Sequence, residues 1–436
     1  MATVVPFKQW PWHHWAQLSP NETAIISGDL PITWQQLSCH INQLAKHFIK
    51  QGVNTQSTVL LRGKNHINLV FTLLAIFQCG AKVLPLNPQL PKSLLDDLLP
   101  HLNIDFYADL SESIQDLEAT LLDLNGVEFD NRSRQHKNEI WNVSWAPSRM
   151  ATLILTSGSS GLPKAAVHTF DAHLCSAEGV LSLIPFEKAL QGCTHASLVP
   201  TQLWRFLQNS TQQDNQQPTT LRSVLLGGAM IPIELTQDAE HRGIQCWCGY
   251  GMTEMASTIC AKRADGKAGV GLPLKGKEVR LVDDELQIMS DSVALGYWFD
   301  SKLKPLSLTA DGWYSTRDKG YFSADEWCVL GRLDNLFFSA GEGIQPEDIE
   351  KILNTHPSVS QSFVVPLDDA EFGQRPVAVV DADIEIINQL PQWYHSRLAG
   401  FQRPVACLQL PESLKNGGIK ISRKQVQEWV TGQMLS

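Results

Sequence analysis

The residues with most chemical potential form one short run, Thr156-Ser157-Gly158-Ser159-Ser160-Gly161-Leu162-Pro163-Lys164. An apolar stretch, Ala151 to Leu155, precedes it and reads as a buried strand. Gly158 and Gly161 allow backbone N–H groups to turn inward around an anion. Thr156, Ser157, Ser159 and Ser160 add hydroxyl donors, and Lys164 adds a point charge suited to phosphate. Composition alone fits a solvated Ser/Gly turn as well. The G-x-x-x-x-G-K-[ST] spacing is absent, which disfavours a P-loop kinase or ATPase.

Four further positions carry matching chemistry. Glu254, in Tyr250-Gly251-Met252-Thr253-Glu254, is a carboxylate able to hold Mg²⁺ beside phosphates. Asp318, in Trp313-Tyr314-Ser315-Thr316-Arg317-Asp318, is an acceptor for ribose hydroxyls. Arg332 stands at a change of texture in the chain, and Lys420 lies in the glycine-softened stretch Gly417-Gly418-Ile419-Lys420. Singly, each has a plainer reading: a helix N-terminal charge, a turn aspartate, a surface lysine.

These residues need elements to position them. Thr33 is suited to cap a helix in which Leu37, Ile41, Leu44, Ala45 and Phe48 recur at helical spacing, with Gly52 ending it. A strand from Thr58 to Leu61, a helix from Ile67 to Gln78 and a strand from Ala81 to Leu86 follow. This alternation predicts an α/β fold with helices on a largely parallel sheet. Later strands are expected at Ser197 to Val199, Ser223 to Leu226 and Ile244 to Cys248, the last running into Gly249-Tyr250-Gly251. From Val279 to Tyr321 short strands and turns predict a small β-rich subdomain. Beyond Asp334, the helix Pro346 to Leu353 and the strands Ser362 to Val365 and Val377 to Val380 predict a compact α+β unit. The expected boundary divides residues 1–333 from 334–436.

Composition narrows the class. At 436 residues, with 43% hydrophobic and 18% charged residues, the chain is a multidomain globular protein. A formal net charge of −10 disfavours nonspecific binding to nucleic acid or to an anionic membrane. No signal peptide is read in Met1 to Trp15, and the apolar stretch Leu69 to Cys79 is too short to span a bilayer. Nine cysteines without regular spacing point to reduced thiols and a cytoplasmic setting, and Cys246-Trp247-Cys248 reads as strand rather than metal site.

The joint order is more informative than any single motif. A Ser/Gly/Lys loop, then Y-G-x-T-E, then Asp ahead of G-R-x-D, then a terminal K-x-x-R resembles the adenylate-forming superfamily of acyl-CoA synthetases, adenylation domains and luciferases. Four segments, around Leu198 to Arg205, Leu225 to Ala229, Asn335 to Pro346 and Lys415 to Arg423, are similar to the o-succinylbenzoate–CoA ligases of menaquinone synthesis.

That resemblance implies an acid–CoA ligase using ATP, Mg²⁺ and CoA on 2-succinylbenzoate. It also implies a large α/β N-terminal region with a small β-rich subdomain and a mobile C-terminal α+β lid. Lys164 and the loop N–H groups are expected to hold the β- and γ-phosphates, with Mg²⁺ near Glu254. Gly228, Ala229, Tyr250 and Gly251 would bracket adenine and the acyl-adenylate. Thr253 would touch the α-phosphate, and Asp318 and Arg332 the ribose. Lys420 would stabilise the adenylation transition state, and Asp334 would be the hinge about which the lid turns. Gly341, Glu342 and Gly343 would line a pantetheine tunnel, and Thr201, Arg205, Ser257 and Thr258 are candidates to meet the acid. Small molecules are the expected partners, with self-association left open.

One departure stands out. Between Leu183-Ile184-Pro185-Phe186 and Leu190-Gln191-Gly192 the family carries several dozen more residues, including a P-[LM]-F-H motif of the acyl pocket. Ala165 and Ile419 replace glycines common in relatives. The alternatives are a ligase for a different aryl or acyl acid, a carrier-loading adenylation domain, and a non-catalytic adenylate-binding relative.

Overall fold

The computed structural model describes residues 7–27, 30–64, 66–88, 90, 92–110, 119–124, 143–156, 164–183, 195–200, 202–204, 206–207, 221–227, 231, 233–267, 269–339, 342–369, 371–415 and 421–434. The chain divides into two compact units: residues 1–174 with 294–306, and residues 175–293 with 307–436. The boundary expected at 334 falls inside the second unit, within the short 3-10 turn Leu333–Asn335.

The first unit is built on an eight-stranded sheet. Strands Thr58–Arg62, Lys82–Leu86, Phe106–Asp109 and Met150–Leu155 run parallel, and Ala165–Thr169 then turns back antiparallel to Met150–Leu155. Alternate residues of Thr58–Arg62 serve opposite faces: Val59 and Leu61 join one apolar cluster, Leu60 another. All five positions of that strand are buried, as a parallel sheet covered on both sides requires. Helix Trp34–Lys50 packs Leu37, Ile41, Leu44, Ala45 and Phe48 into the first of these clusters. Its start is held by a capping box in which Thr33 Oγ1 accepts from the Gln36 N–H and Gln36 Oε1 accepts from the Thr33 N–H. Gly52, at φ +102°, ends the turn where a side chain would be strained.

The small β-rich subdomain expected over 279–321 is only partly what forms. Lys277–Val282, Glu285–Ser290, Tyr314–Ser323 and Glu326–Arg332 make an antiparallel four-stranded sheet of the second unit. The hairpin Gly296–Phe299 and Lys302–Pro305 instead extends the sheet of the first unit, pairing with Ala165–Thr169. Edge pairing decides this, and no local pattern encodes it.

The second unit also holds a five-stranded sheet in which His195–Leu198, Ser223–Leu226 and Gln245–Gly251 are parallel and Thr258–Arg263 returns antiparallel. The strand expected to end near Cys248 runs on to Gly251, because Gly249, Tyr250 and Gly251 pair with Ala261, Cys260 and Thr258. A third sheet, centred on Gln361–Asp369 and Gly373–Asp381, carries helices Pro346–Leu353, Ile384–His395 and Arg423–Met434. Its two faces bury Val364, Ala378 and Val380 on one side and Phe363, Val365, Val377 and Val379 on the other. Among the described residues no helix is long and apolar enough to cross a membrane.

Candidate functional site

In the first unit the ends of the Ser/Gly/Lys run are in place. The Thr156 N–H donates to the Lys164 carbonyl at 2.7 Å, closing the loop between two antiparallel strands whose last pair is Leu155 with Ala165. Ala165 is fully buried in its strand. Lys164 is exposed, with Nζ 5.0 Å from the centre of the Tyr297 ring. Ser157, Gly158, Ser159, Ser160 and Gly161 lie outside the described residues.

In the second unit, Tyr250 and Thr253–Glu254 sit where the strand Gln245–Gly251 gives way to the 3-10 turn Thr253–Met255. Ends of parallel strands are where open α/β sheets bind ligands. The backbone there is crowded: a Cβ at Gly251 would stand 2.3 Å from the Ser257 carbonyl oxygen. The Met252 N–H donates to that same oxygen at 3.2 Å, and Ala256, at φ +62°, reverses the chain. Glu254 is buried, at 9% exposure, whereas Ser257 is exposed and Thr258 half-buried. Thr201, Arg205, Gly228 and Ala229 lie outside the described residues.

Tyr250 is joined to Asp318. Its hydroxyl donates to Asp318 Oδ2 at 2.5 Å, across 68 residues of sequence. Asp318 lies directly opposite Arg332 in the antiparallel pair Tyr314–Ser323 and Glu326–Arg332. A bulge aims it: register shifts between Glu285 and Gln287, Arg317 adopts φ +64°, and the Arg317 N–H donates to Glu285 Oε1 at 2.8 Å. The Asp318 N–H donates to Thr316 Oγ1 at 2.9 Å. Burial pushes the Asp318 carboxyl above its usual range, opposed by the Tyr250 hydroxyl and the Arg332 charge. Burial, reinforced by the Asp318 charge, pushes the Tyr250 phenol well up, so it stays protonated and donates.

Arg332 Nη1 donates to the Thr316 carbonyl at 2.8 Å and reaches Asp318 Oδ1 at 3.4 Å. Its Nε and Nη2 grip the two carboxylate oxygens of Asp334, each at 3.0 Å. Partial burial pushes the Asp334 carboxyl up, but the Arg332 hydrogen bonds and charge outweigh it and hold the group low. A buried acceptor beside a fixed guanidinium is chemistry suited to vicinal hydroxyls.

The segment after the Asp334 turn is tied down by a polar network that local sequence did not announce. Gln345 Nε2 donates to the Arg332 carbonyl at 3.0 Å and to Glu347 Oε2 at 2.5 Å. Asn335 Nδ2 donates to Glu347 Oε1 at 2.6 Å. Arg423, the first residue of helix Arg423–Met434, reaches Glu347 at 3.3 Å and forks onto buried Glu350 through its two terminal nitrogens, Nη1 and Nη2, the latter at 3.0 Å. The K-x-x-R pattern marks Arg423, but nothing local identifies its carboxylates 73 and 76 residues away. Glu342 and Gly343 are exposed on the short strand Glu342–Ile344, while Gly341 and Lys420 lie outside the described residues.

The model of the AMP-binding enzyme family matches residues 12–188 and 186–298, and that of the AMP-binding enzyme C-terminal domain matches 348–433. The chain is 46% identical to a 2-succinylbenzoate–CoA ligase of Salmonella typhimurium, covering 97% of this chain and 98% of the relative. It is 45% identical to the Escherichia coli protein of the same name, covering 98% and 99%. A solved structure of a variant of Escherichia coli MenE with bound OSB-AMS superposes with a TM-score of 0.85 at 43% identity, covering 99% of this chain and 100% of that one. The alignment to the Salmonella protein runs to 464 positions against 436 residues here, and the family match breaks at 186–188. The chain therefore lacks an internal stretch its relatives carry, at the departure noted after Phe186; residues 184–194 themselves lie outside the described ones. With more than half its length matched, the chain belongs to the AMP-binding enzyme family.

Proposed function

We propose that this chain is an ATP-dependent, AMP-forming ligase that converts 2-succinylbenzoate and CoA to 2-succinylbenzoyl-CoA through an acyl-adenylate. The full-length likeness to 2-succinylbenzoate–CoA ligases carries the reading. The Tyr250–Asp318–Arg332 cluster supports it with chemistry suited to a nucleoside.

A carboxylate is a poor acyl donor because its leaving group would be oxide. Transfer to AMP gives a mixed anhydride whose leaving group is stable, which a thiol then attacks. In this scheme the acid's carboxylate attacks the α-phosphorus of MgATP and pyrophosphate leaves. Lys164 and the N–H groups of 157–161 hold the β- and γ-phosphates, and Glu254 holds Mg²⁺, offsetting charge that builds in the transition state. Thr253 meets the α-phosphate, while Asp318 and Arg332 hold the ribose hydroxyls. Gly228, Ala229, Tyr250 and Gly251 enclose adenine and the acyl group. Lys420 contributes a cation at the reacting oxygens, a contribution that lowers the barrier because it is made chiefly in the transition state.

The region from 334 onward is the lid and Asp334 its hinge, with Gly341, Glu342 and Gly343 on the path of the CoA thiol. Thr201, Arg205, Ser257 and Thr258 are the candidates for the acid's polar ends. Nine cysteines without regular spacing support a reducing, cytoplasmic setting.

The test is pyrophosphate release from MgATP over a panel of aromatic acids, with and without CoA, and mass detection of the thioester. Release that depends on 2-succinylbenzoate, and thioester that also depends on CoA, is the expected result. Release with every acid alike, or with none, would sink the assignment.

A further inference from the structure

Lys277, the first residue of strand Lys277–Val282, has no part in the scheme above, yet it is buried at 6% exposure. Its ammonium donates to the Met255 carbonyl oxygen at 3.2 Å and to the Ser292 hydroxyl. Ser292, with no exposed surface, donates to that same Met255 oxygen at 2.9 Å and lies 2.9 Å from the Ser290 hydroxyl. Two donors from elsewhere in the fold therefore converge on one carbonyl.

That carbonyl belongs to the last residue of the turn Thr253–Met255. Three backbone hydrogen bonds brace the turn: Met255 N–H to Met252 and Ala256 N–H to Thr253, at 3.1 and 3.0 Å, and Met252 N–H to Ser257 at 3.2 Å. Three residues of 3-10 helix have little intrinsic rigidity. The side chains of Lys277 and Ser292, which reach Met255, add a hold from outside it.

Burying an ammonium costs folding free energy unless a charge partner compensates. Among the described residues no carboxylate forms an ion pair with Lys277. The titratable groups facing it are the thiols of Cys175, on helix Phe170–Leu183, and Cys260, on strand Thr258–Arg263. Burial pushes the Lys277 ammonium down to about 8. A methionine of similar reach would fill the slot without that cost, so the ammonium contributes its hydrogen bond to the turn rather than stability.

We propose that Lys277 is a positioning residue for MgATP: by fixing the Met255 carbonyl it holds Thr253 and Glu254 in register with the phosphates and the metal. The proposal rests on the assignment of Thr253 and Glu254 to the phosphate end of the nucleotide.

Calorimetric titration of the full chain with MgATP and, separately, with adenosine tests it without any acid substrate. Lys277→Met is expected to weaken MgATP binding roughly tenfold, the scale of one charge-assisted hydrogen bond. Adenosine affinity stays within about twofold and the unfolding temperature does not fall, since the nucleoside contacts and the core packing are unchanged. Lys277→Gln keeps an N–H donor and recovers most of the MgATP affinity. If Lys277→Met does not fold, Ser292→Ala removes the other donor to the same oxygen and reads the same loss. MgATP affinity unchanged in a folded variant, or equal losses for MgATP and adenosine, overturns the proposal. Glu254→Gln is titrated alongside: if it too leaves MgATP affinity unchanged, the phosphate-end assignment itself falls.

Discussion

Arg332 grips Asp334 in a two-pronged pair, Nε to Oδ1 and Nη2 to Oδ2, both at 3.0 Å, while its remaining terminal nitrogen faces Asp318. One guanidinium thus serves both the proposed ribose acceptor and the proposed hinge. Any rotation of the chain at Asp334 must break or carry along that pair. The pair is about two-fifths exposed, so it contributes little to stability, on the order of 0–1 kcal/mol. Its importance is in geometry.

Replacing Asp334 with Pro restricts the backbone angle at which the lid would turn. Pyrophosphate release in the first half-reaction is expected to persist, while thioester formation from supplied acyl-adenylate falls at least about tenfold. Rapid-quench measurement of the two half-reactions separates them, and equal loss in both would remove Asp334 from the hinge role.

Lys420→Ala is expected to do the reverse. Adenylate formation drops by about a hundredfold or more, the scale of removing one preorganised charge stabiliser, while preformed acyl-adenylate still yields thioester. Equal loss of both steps would contradict the assignment.

Tyr250→Phe removes a donor from a buried carboxylate. Burial already holds the Asp318 carboxyl above its ordinary value of 3.8, and without the phenol it rises further. A carboxyl raised on folding contributes its stability below the unfolded value and loses it as pH rises through the folded one. The variant's deficit in unfolding free energy is therefore larger at pH 7, about 1.5–3 kcal/mol for a hydrogen bond to a charge, than near pH 4. The acid limb of ATP binding moves to higher pH as well. Chemical unfolding at the two pH values, with ATP titrations across that range, checks both statements.

Arg423→Ala leaves Glu350 ionised and buried without its cation. Removing one partner of such a pair costs about 3–5 kcal/mol, readable in urea unfolding. Burial pushes the Glu350 carboxyl up even with Arg423 present, and more so without it. Part of the loss returns as pH falls toward the ordinary value of 4.5, because the raised carboxyl takes up its proton before that pH is reached. A loss that does not depend on pH would mean that lost packing dominates.

Gly251→Ala places a methyl 2.3 Å from the Ser257 carbonyl oxygen and 2.8 Å from Thr258 Cα, both backbone atoms that cannot swing aside. The strands must separate there, at about 1–3 kcal/mol. The Thr253–Met255 turn shifts with them, so MgATP affinity falls along with stability. Thermal unfolding and calorimetric titration of the same sample test whether the two move together.

The helices Trp34–Lys50 and Ile67–Gln78 and the strand Ser223–Leu226 were legible because a local signal, period or apolar run, matches the burial each element meets. The residues of the proposed site were legible as types in order: a Ser/Gly/Lys run, a Tyr and a carboxylate after a strand, an Asp and an Arg ahead of the proposed hinge. The hairpin Gly296–Pro305 was not, because an edge strand carries no mark of which sheet it will join. Lys277 was equally silent, since its sequence neighbourhood does not record what buries it.

The sequence by itself determined the chemical inventory and the family, because side-chain types at set intervals survive as a pattern along the chain. Only the tertiary structure decided that Tyr250, Asp318, Arg332 and Asp334 form one bonded series, and that Glu347 joins Asn335 and Gln345 to Arg423. The reason is physical. A hydrogen bond is set by distances of about 3 Å and by angle. Across a sheet those depend on strand register and bulges, which non-local pairing chooses; local periodicity says only which face of an element is apolar.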